Sequence, residues 1–343
     1  MNFMKDKTFI IAELSANHNH KLDIAIKTIE AAKKAGADAI KVQTYTADTM
    51  TINCNNEYFR IKQGTIWDGK TLYELYKEAY TPWEWHPKLK KVAEDLGLLF
   101  FSTPFDKTAV DFLEKLNVPM YKIASFEIVD IPLIEYTASK GKPIIISTGI
   151  AKLSEIEDAL NACKKNKNDK ITLLKCTSSY PAPIAESNLL MIPDIKQRFG
   201  VKVGLSDHTI GADVSIAAVA IGATVIEKHF ILDRALGGLD SSFSMEPKEF
   251  KSMVNSIRNV ENALGRTDYT LTPKLKKSRK FMRSLFAVTN IKKGEIITNI
   301  NVRAIRPGDG ISPKFMEKIE GKKACLNIKT GTPITLKMIK TND

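Results

Sequence analysis

The sequence has no Cys-x-x-Cys pair, and its four cysteines are scattered at positions 54, 163, 176 and 325. That spacing excludes a zinc ribbon and gives no disulfide framework; reduced thiols fit a cytoplasmic protein. No apolar run approaches the ~18 residues that a membrane-spanning helix needs. The first residues, MNFMKDKTFIIAEL, hold only a short apolar stretch that leads into acidic and polar groups, so no signal peptide is expected. No Gly-x-Gly-x-x-Gly follows the first apolar run, which counts against a dinucleotide-binding fold. Histidine is scarce, with five in 343 residues, at 18, 20, 86, 208 and 229. Acidic residues number 39 against 51 basic ones, a formal net charge of +12. The lysines are spread along helices rather than massed in one patch, so the excess reads as a solvated surface and not as a nucleic-acid interface.

What is present is a repeated alternation. Short apolar runs rich in β-branched residues occur at 9–15, 39–44, 98–105, 120–125, 143–149, 171–178, 201–209 and 224–230. Between them lie helical patterns, several stopped by glycine, such as KLDIAIKTIEAAKKAG at 21–36. Eight such strands alternating with helices predict a (β/α)₈ barrel over residues 1–265. The interval 45–97 holds more than one crossover helix needs, and its aromatics Tyr58, Phe59, Trp67, Tyr73 and Tyr76 fit either a lid over the barrel mouth or a surface subdomain. Residues 266–283 are basic and polar and read as a linker. The segment 284–343 carries short strands broken by KKGE and PGDG, which predicts a small β-rich domain. A domain that small buries little core alone.

Every apolar run ends in polar or charged groups, and in a barrel those ends converge on one mouth, where barrel active sites lie. Lys41 and Lys122, with hydroxyls from several strands, would make an anion cradle. The competing reading pairs each lysine with a local carboxylate such as Glu13 or Glu127. A strand lysine also suits Schiff-base chemistry, the aldolase alternative. The stretch VIEKHFILD, 225–233, places three ionisable groups inside a buried strand. Its parity points Val225, Glu227 and His229 inward and Lys228 toward the helices. His208 and His229 occupy matching places on strands about 4.8 Å apart, so both imidazoles reach one metal ion. His18 and His20 are rival ligands or substrate contacts, and His86 reads as structural. In an extended segment Ser125 and Glu127 face the same way and Lys122 the other, so all three line the site only if the strand bulges or ends between them.

The stretches IAELSANHN, IKVQT, FFSTPFD, YKIAS, PIIISTG, KCTSSYPAP, GLSDHTIG, EKHF and RPGDGI together resemble the sialic-acid synthase (NeuB-like) family along the whole chain. The resemblance implies a (β/α)₈ barrel joined to a C-terminal antifreeze-like (SAF) domain. It implies a domain-swapped homodimer whose small domain reaches the partner's active site. The implied reaction condenses phosphoenolpyruvate with an amino-sugar aldehyde to give a nonulosonic acid and phosphate. By the same resemblance, Lys41, Lys122, Ser125, Ser147 and Ser206 match contacts to phosphoenolpyruvate. His208 and His229 match ligands of a divalent cation, typically Mn²⁺, with Mg²⁺ or Co²⁺ as alternatives. Glu127 matches an acid/base carboxylate, and Glu13, Gln43, Tyr180 and Asp240 match sugar-side or supporting positions. Arg306 matches an arginine delivered to the sugar's acyl group. Two stretches depart from sialic and legionaminic acid synthases, GGLDSSFSMEP at 237–247 and the insertion at 62–86. Both look like the pseudaminic acid synthase branch, whose acceptor is a diacetamido-trideoxy-altrose; N-acetylneuraminate and legionaminate synthases are the alternatives.

Overall fold

The structure is a computed structural model that describes residues 7–62, 64 and 66–340. The chain divides at Gly265 into two compact units. In the first, eight parallel strands close into a barrel in sequence order. They are β1 (Phe9–Glu13), β2 (Ala39–Thr44), β3 (Leu99–Pro104), β4 (Tyr121–Ile123), β5 (Ile144–Ser147), β6 (Ile171–Cys176), β7 (Lys202–Asp207) and β8 (Val225–His229). Closure comes from β1 lying beside β8, with Glu13 level with His229. Each strand sits within its expected run, shorter by a residue or a few at most ends.

Strand side chains alternate between two apolar environments. Ile10, Ala12, Ile40, Phe100, Ile146, Leu173, Leu205 and Ile226 pack outward against the helices. Phe9, Ile11, Ala39, Phe101, Met120, Ile145, Leu174 and Val225 fill the interior as a separate cluster. Continuing those inward faces toward the strand C-termini, the chemistry changes: Glu13, Lys41, Gln43, Thr103, Lys122, Ser147, Ser206, Glu227 and His229 succeed the apolar plug. The lower interior is therefore a packed core and the upper interior a polar chamber.

Parity also accounts for Lys228. It points outward, as expected, and is fully buried there. Its ammonium donates to Asp207 Oδ2 at 2.8 Å and to the Thr209 carbonyl at 2.7 Å. The same carboxylate accepts from Ser215 Oγ at 2.6 Å. This pair fastens β7 and β8 to the loop and helix that follow β7, and it takes no part in the chamber. Burial lowers the Lys228 pKa, and Asp207 with the Thr209 carbonyl offsets part of that cost.

The insertion after β2 folds as helices Ala47–Met50 and Leu72–Ala79, followed by the crossover helix His86–Asp95. Thr71 and Glu74 form a capping box that starts the second of these. His18 and His20 anchor it. His18 Nε2 meets Thr81 Oγ1 at 3.2 Å and His20 Nε2 meets the Glu78 carbonyl at 2.8 Å. His86 is structural, bonded to Thr44 Oγ1 at 2.9 Å inside the helical layer.

The second unit has its own small core of Leu285, Ala287, Ile291, Val302, Ile319, Ile328 and Ile334, among others. Strands β9 (Ser284–Ala287) and β10 (Val302–Ile305) pair antiparallel, and isolated bridges join the remaining extended segments. Residues 266–283 contain the short helix Pro273–Ser278.

Candidate active site

The polar chamber holds a chain of buried charges. Lys41 Nζ lies 2.7 Å from Glu13 Oε2, 3.7 Å from Glu227 Oε1 and 3.3 Å from Thr103 Oγ1. Burial opposes its charge, but the two carboxylates outweigh burial and raise its pKa. Glu13 is raised, chiefly by burial and despite Lys41. Glu227 is lowered: burial opposes this, and Lys122 with Lys41 overcomes it. Ser206 Oγ donates to Glu227 Oε1 at 3.0 Å. Glu227 thus belongs to the lysine cluster.

Lys122 differs from Lys41. Its side chain is 2% exposed, its one hydrogen bond is to the Ile123 carbonyl at 3.0 Å, and no carboxylate forms an ion pair with it among the described residues. Burial lowers its pKa. Lys175 likewise donates only to the Cys176 carbonyl and Thr177 Oγ1, at 2.6 and 3.2 Å. The two readings of the lysines therefore divide. Lys41 is paired locally, whereas Lys122 is a buried cation whose counter-charge is incomplete. Among the described residues, five buried polar atoms in this region find no hydrogen-bond partner: Glu13 Oε2, which is ion-paired with Lys41, and Ser147 Oγ, Glu127 Oε2, Glu227 Oε2 and His229 Nδ1. Each such group costs on the order of 1–3 kcal/mol when left unsatisfied, so their concentration marks a place built for a polar ligand.

β4 ends at Ile123, and Ser125–Glu127 forms a single 3₁₀ turn. The extended-segment parity for Ser125 and Glu127 therefore does not apply, and the early strand end lets Lys122, Ser125 and Glu127 all serve the chamber. Burial pushes the Glu127 carboxyl up to about 7 although Lys122 pulls the other way. Ser125 Oγ accepts the Gly149 N–H at 3.1 Å. A Cβ on Gly149 would overlap Ser178 Oγ, stand 2.8 Å from Ser125 Oγ and touch Cys176 Sγ at 3.2 Å. Glycine here keeps the loop after β5 against three polar side chains. Gly149→Ala should fold normally and raise the KM for the anionic substrate about 10-fold, the worth of one displaced hydrogen bond to a charged group. Steady-state kinetics with a thermal melt check this.

His208 and His229 stand with ring centroids 5.3 Å apart. His208 Nδ1 donates to the Thr177 carbonyl at 2.9 Å; burial opposes its charge, but Cys176 and this carbonyl raise its pKa, and on losing its other proton it presents the Nε2 lone pair. His229 is held well below its ordinary pKa, first by burial and then by His208. Its Nδ1 has no hydrogen-bond partner, and Asp240 Oδ2 is 3.8 Å away. A neutral imidazole and an unsatisfied buried nitrogen suit a divalent cation. Among the described residues no cluster of three or more His, Cys, Asp or Glu forms a metal site. The two histidines would thus supply part of a coordination sphere and leave positions for water and substrate oxygens.

Above them opens a cavity of about 230 Å³. Its floor is polar: Ser15, Gln43, Glu127, Tyr180, His229 and Asp240. Gln43 Nε2 donates to Glu13 Oε1 at 3.2 Å and to Ser15 Oγ at 3.1 Å, which links floor to chamber. Its walls are apolar. Met50, Trp67, Leu75, Tyr76 and Ala79 come from the insertion, and Phe105, Phe126 and Leu239 from other loops. Trp67 Nε1 donates to the Leu239 carbonyl at 3.2 Å, closing the insertion onto the loop after β8. Trp67 and Tyr76 make the insertion a lid; Tyr58 is exposed and takes no part.

Lys41, Lys122, Ser125, Ser147 and Ser206 belong to the chamber and do not line this cavity. Arg306 is exposed in the second unit. Cys176 escaped the sequence reading. It faces inward beside His208, 3.8 Å from Nδ1. Burial opposes its ionisation, and His208 outweighs that, bringing the thiol to about 7. Its position as the last residue of an inward-facing strand register was the available signal.

Residues 28–269 match the NeuB family model and residues 282–340 match the SAF domain. The chain belongs to the NeuB family. It is 50% identical over 327 residues to the pseudaminic acid synthase of Helicobacter pylori, covering 95% of this chain and 96% of that protein. It is 40% identical over 327 residues to the N,N'-diacetyllegionaminic acid synthase of Campylobacter jejuni, covering 94% and 97%. Among solved structures, the N-acetylneuraminic acid synthetase of Leptospira borgpetersenii superposes with a TM-score of 0.71 at 34% identity, covering 79% of this chain and 90% of that one.

Proposed function

We propose that the protein is a transferase that condenses phosphoenolpyruvate with 2,4-diacetamido-2,4,6-trideoxy-altrose and water, giving pseudaminic acid and phosphate. The observation that carries this reading is the two-level site: a chamber with an incompletely compensated buried lysine, joined to an amphipathic cavity at the His208–His229 pair. Lys122, Lys41, Ser125, Ser147 and Ser206 hold the phosphate and carboxylate, with Glu13 keeping Lys41 charged. Carbon 3 of the enol attacks the aldehyde carbon, water adds at carbon 2, and the carbon–oxygen bond to phosphate breaks. Glu127 moves the protons that these steps require. Gln43, Tyr180 and Asp240 orient the sugar. His208 and His229 would hold a divalent cation, Mn²⁺ in our reading, that supplies Lewis acidity toward the aldehyde oxygen when bound.

Mixing enzyme, phosphoenolpyruvate and the diacetamido sugar with and without Mn²⁺ tests the reading; absence of phosphate release from any amino sugar ends it. A panel including the legionaminate and neuraminate precursors separates the alternatives at the level of sugar. Borohydride trapping of an adduct, with activity surviving EDTA, would instead favour a Schiff base on Lys122.

We also propose a homodimer in which the SAF domain of one protomer covers the partner's site. Phe126, Val129, Ile150, Ile184 and Ile210, all exposed on successive loops at the C-terminal end of the barrel, support a covered rim. Arg306→Ala should then raise the sugar KM far more than the phosphoenolpyruvate KM, by about 10- to 100-fold for a lost charged hydrogen bond. Equal effects on both substrates would count against the assignment. A cytoplasmic setting is supported by four free cysteines and by the metabolite it consumes. No helix among the described residues is long and apolar enough to cross a membrane.

A further inference from the structure

The helix Leu72–Ala79 presents an apolar stripe that the rest of its unit covers only in part. None of its eight residues is buried. Leu75 and Ala79, one turn apart, both face the cavity, together with Tyr76 and the neighbouring Met50. The helix is held from outside that stripe, by its capping box and by His20, and Tyr76 rests edge-on against Tyr45 at 5.8 Å. An amphipathic helix normally buries its apolar face against a core. Here that face borders a space of about 230 Å³ that Glu127, His229 and Asp240 also line.

We infer that this stripe is the specificity element for the far end of the sugar, with Leu75 reading the deoxygenated C6 methyl group. The inference rests on the proposed function. The aldehyde carbon must lie over the polar floor, beside Glu127 and the histidine pair. The chain of the sugar then carries its other end toward the insertion. A methyl group there removes apolar surface of Leu75, Ala79 and Met50 from water. A hydroxyl set against Leu75, Ala79 and Met50 meets no hydrogen-bonding group on those three side chains and is desolvated without return. One methyl in such a pocket is worth about 10- to 200-fold in discrimination.

The test uses full-length enzyme and two sugars that differ only at C6: 2,4-diacetamido-2,4,6-trideoxy-altrose and its 6-hydroxy counterpart. Wild type should favour the 6-deoxy sugar by at least about 10-fold in kcat/KM. Leu75→Gln should bring that ratio to within about threefold by weakening the deoxy sugar, with the phosphoenolpyruvate KM unchanged, and Leu75→Met should restore it. Amide exchange across 72–79 should slow when the deoxy sugar binds and not when phosphoenolpyruvate alone binds. A wild-type ratio near one, with both sugars consumed, overturns the inference and leaves the function standing. So does a ratio that Leu75→Gln leaves intact. A wild type that consumes neither sugar overturns the function beneath it.

Discussion

His229→Ala should abolish divalent-cation binding and lower turnover on the order of 10³-fold while the protein stays folded. The magnitude is that of removing several kcal/mol of charge stabilisation at the aldehyde oxygen, at about 1.4 kcal/mol per tenfold. The fold survives because His229 makes no hydrogen bond through its buried Nδ1, so truncation removes an unsatisfied group along with its ring contacts. Those contacts are to Phe243 at 4.9 Å and His208 at 5.3 Å between centroids. Mn²⁺ titration followed by electron paramagnetic resonance reads the binding loss without any substrate, and a thermal melt reads the fold. Undiminished Mn²⁺ affinity in the variant would sink the metal role for this residue, whatever the kinetics show.

Glu127→Gln has the second largest effect, a loss of about 10²- to 10⁴-fold in kcat, the range for a positioned acid or base. The pH dependence sharpens this. Wild-type Glu127 has its pKa pushed up to about 7 by burial. In the proposed role of base toward the attacking water it works as the carboxylate, so kcat/KM should fall as pH drops through about 7. In the glutamine variant that limb vanishes from what activity remains. Stability moves in the opposite sense. A carboxyl whose folded pKa lies above its unfolded value contributes stability at low pH that is lost as pH rises through the folded value. Glu127→Gln should therefore melt a few degrees above wild type at pH 8 and show no such gain at pH 4. A pH–rate profile identical in both proteins would remove Glu127 from the chemistry.

The barrel was legible because its signal is repeated: eight apolar runs with polar ends, each within a few residues of an observed strand. Parity alone placed Glu227 and His229 inward and Lys228 outward. For Ser125 and Glu127 parity leaves a condition, that the strand bulge or end after Lys122, and β4 meets it: it is only three residues long and a 3₁₀ turn follows. Nothing in YKIASFE announces that stop, since turn residues such as glycine or proline are absent from it. The role of Lys228 was likewise hidden, because its partners Asp207 and Thr209 come from the neighbouring strand and loop and are set by register. Cys176 was passed over because a cysteine at the end of an apolar run looks like one more apolar residue. The histidines of ANHNH needed the insertion's path: the sequence offers ligands or substrate contacts, and only the helix Leu72–Ala79 and the loop after it show the hydrogen bonds by which they hold the insertion.

The helix Leu72–Ala79 carries a consequence for how such enzymes diversify. The barrel's stability resides in its plug and helical layer, to which this helix contributes no buried side chain. Surface substitutions of that kind usually move stability by less than about 0.5 kcal/mol. On the proposed reading, selection can therefore rewrite that stripe while the polar chamber and the fold stay as they are. New acceptors become reachable by point changes that a marginally stable protein tolerates.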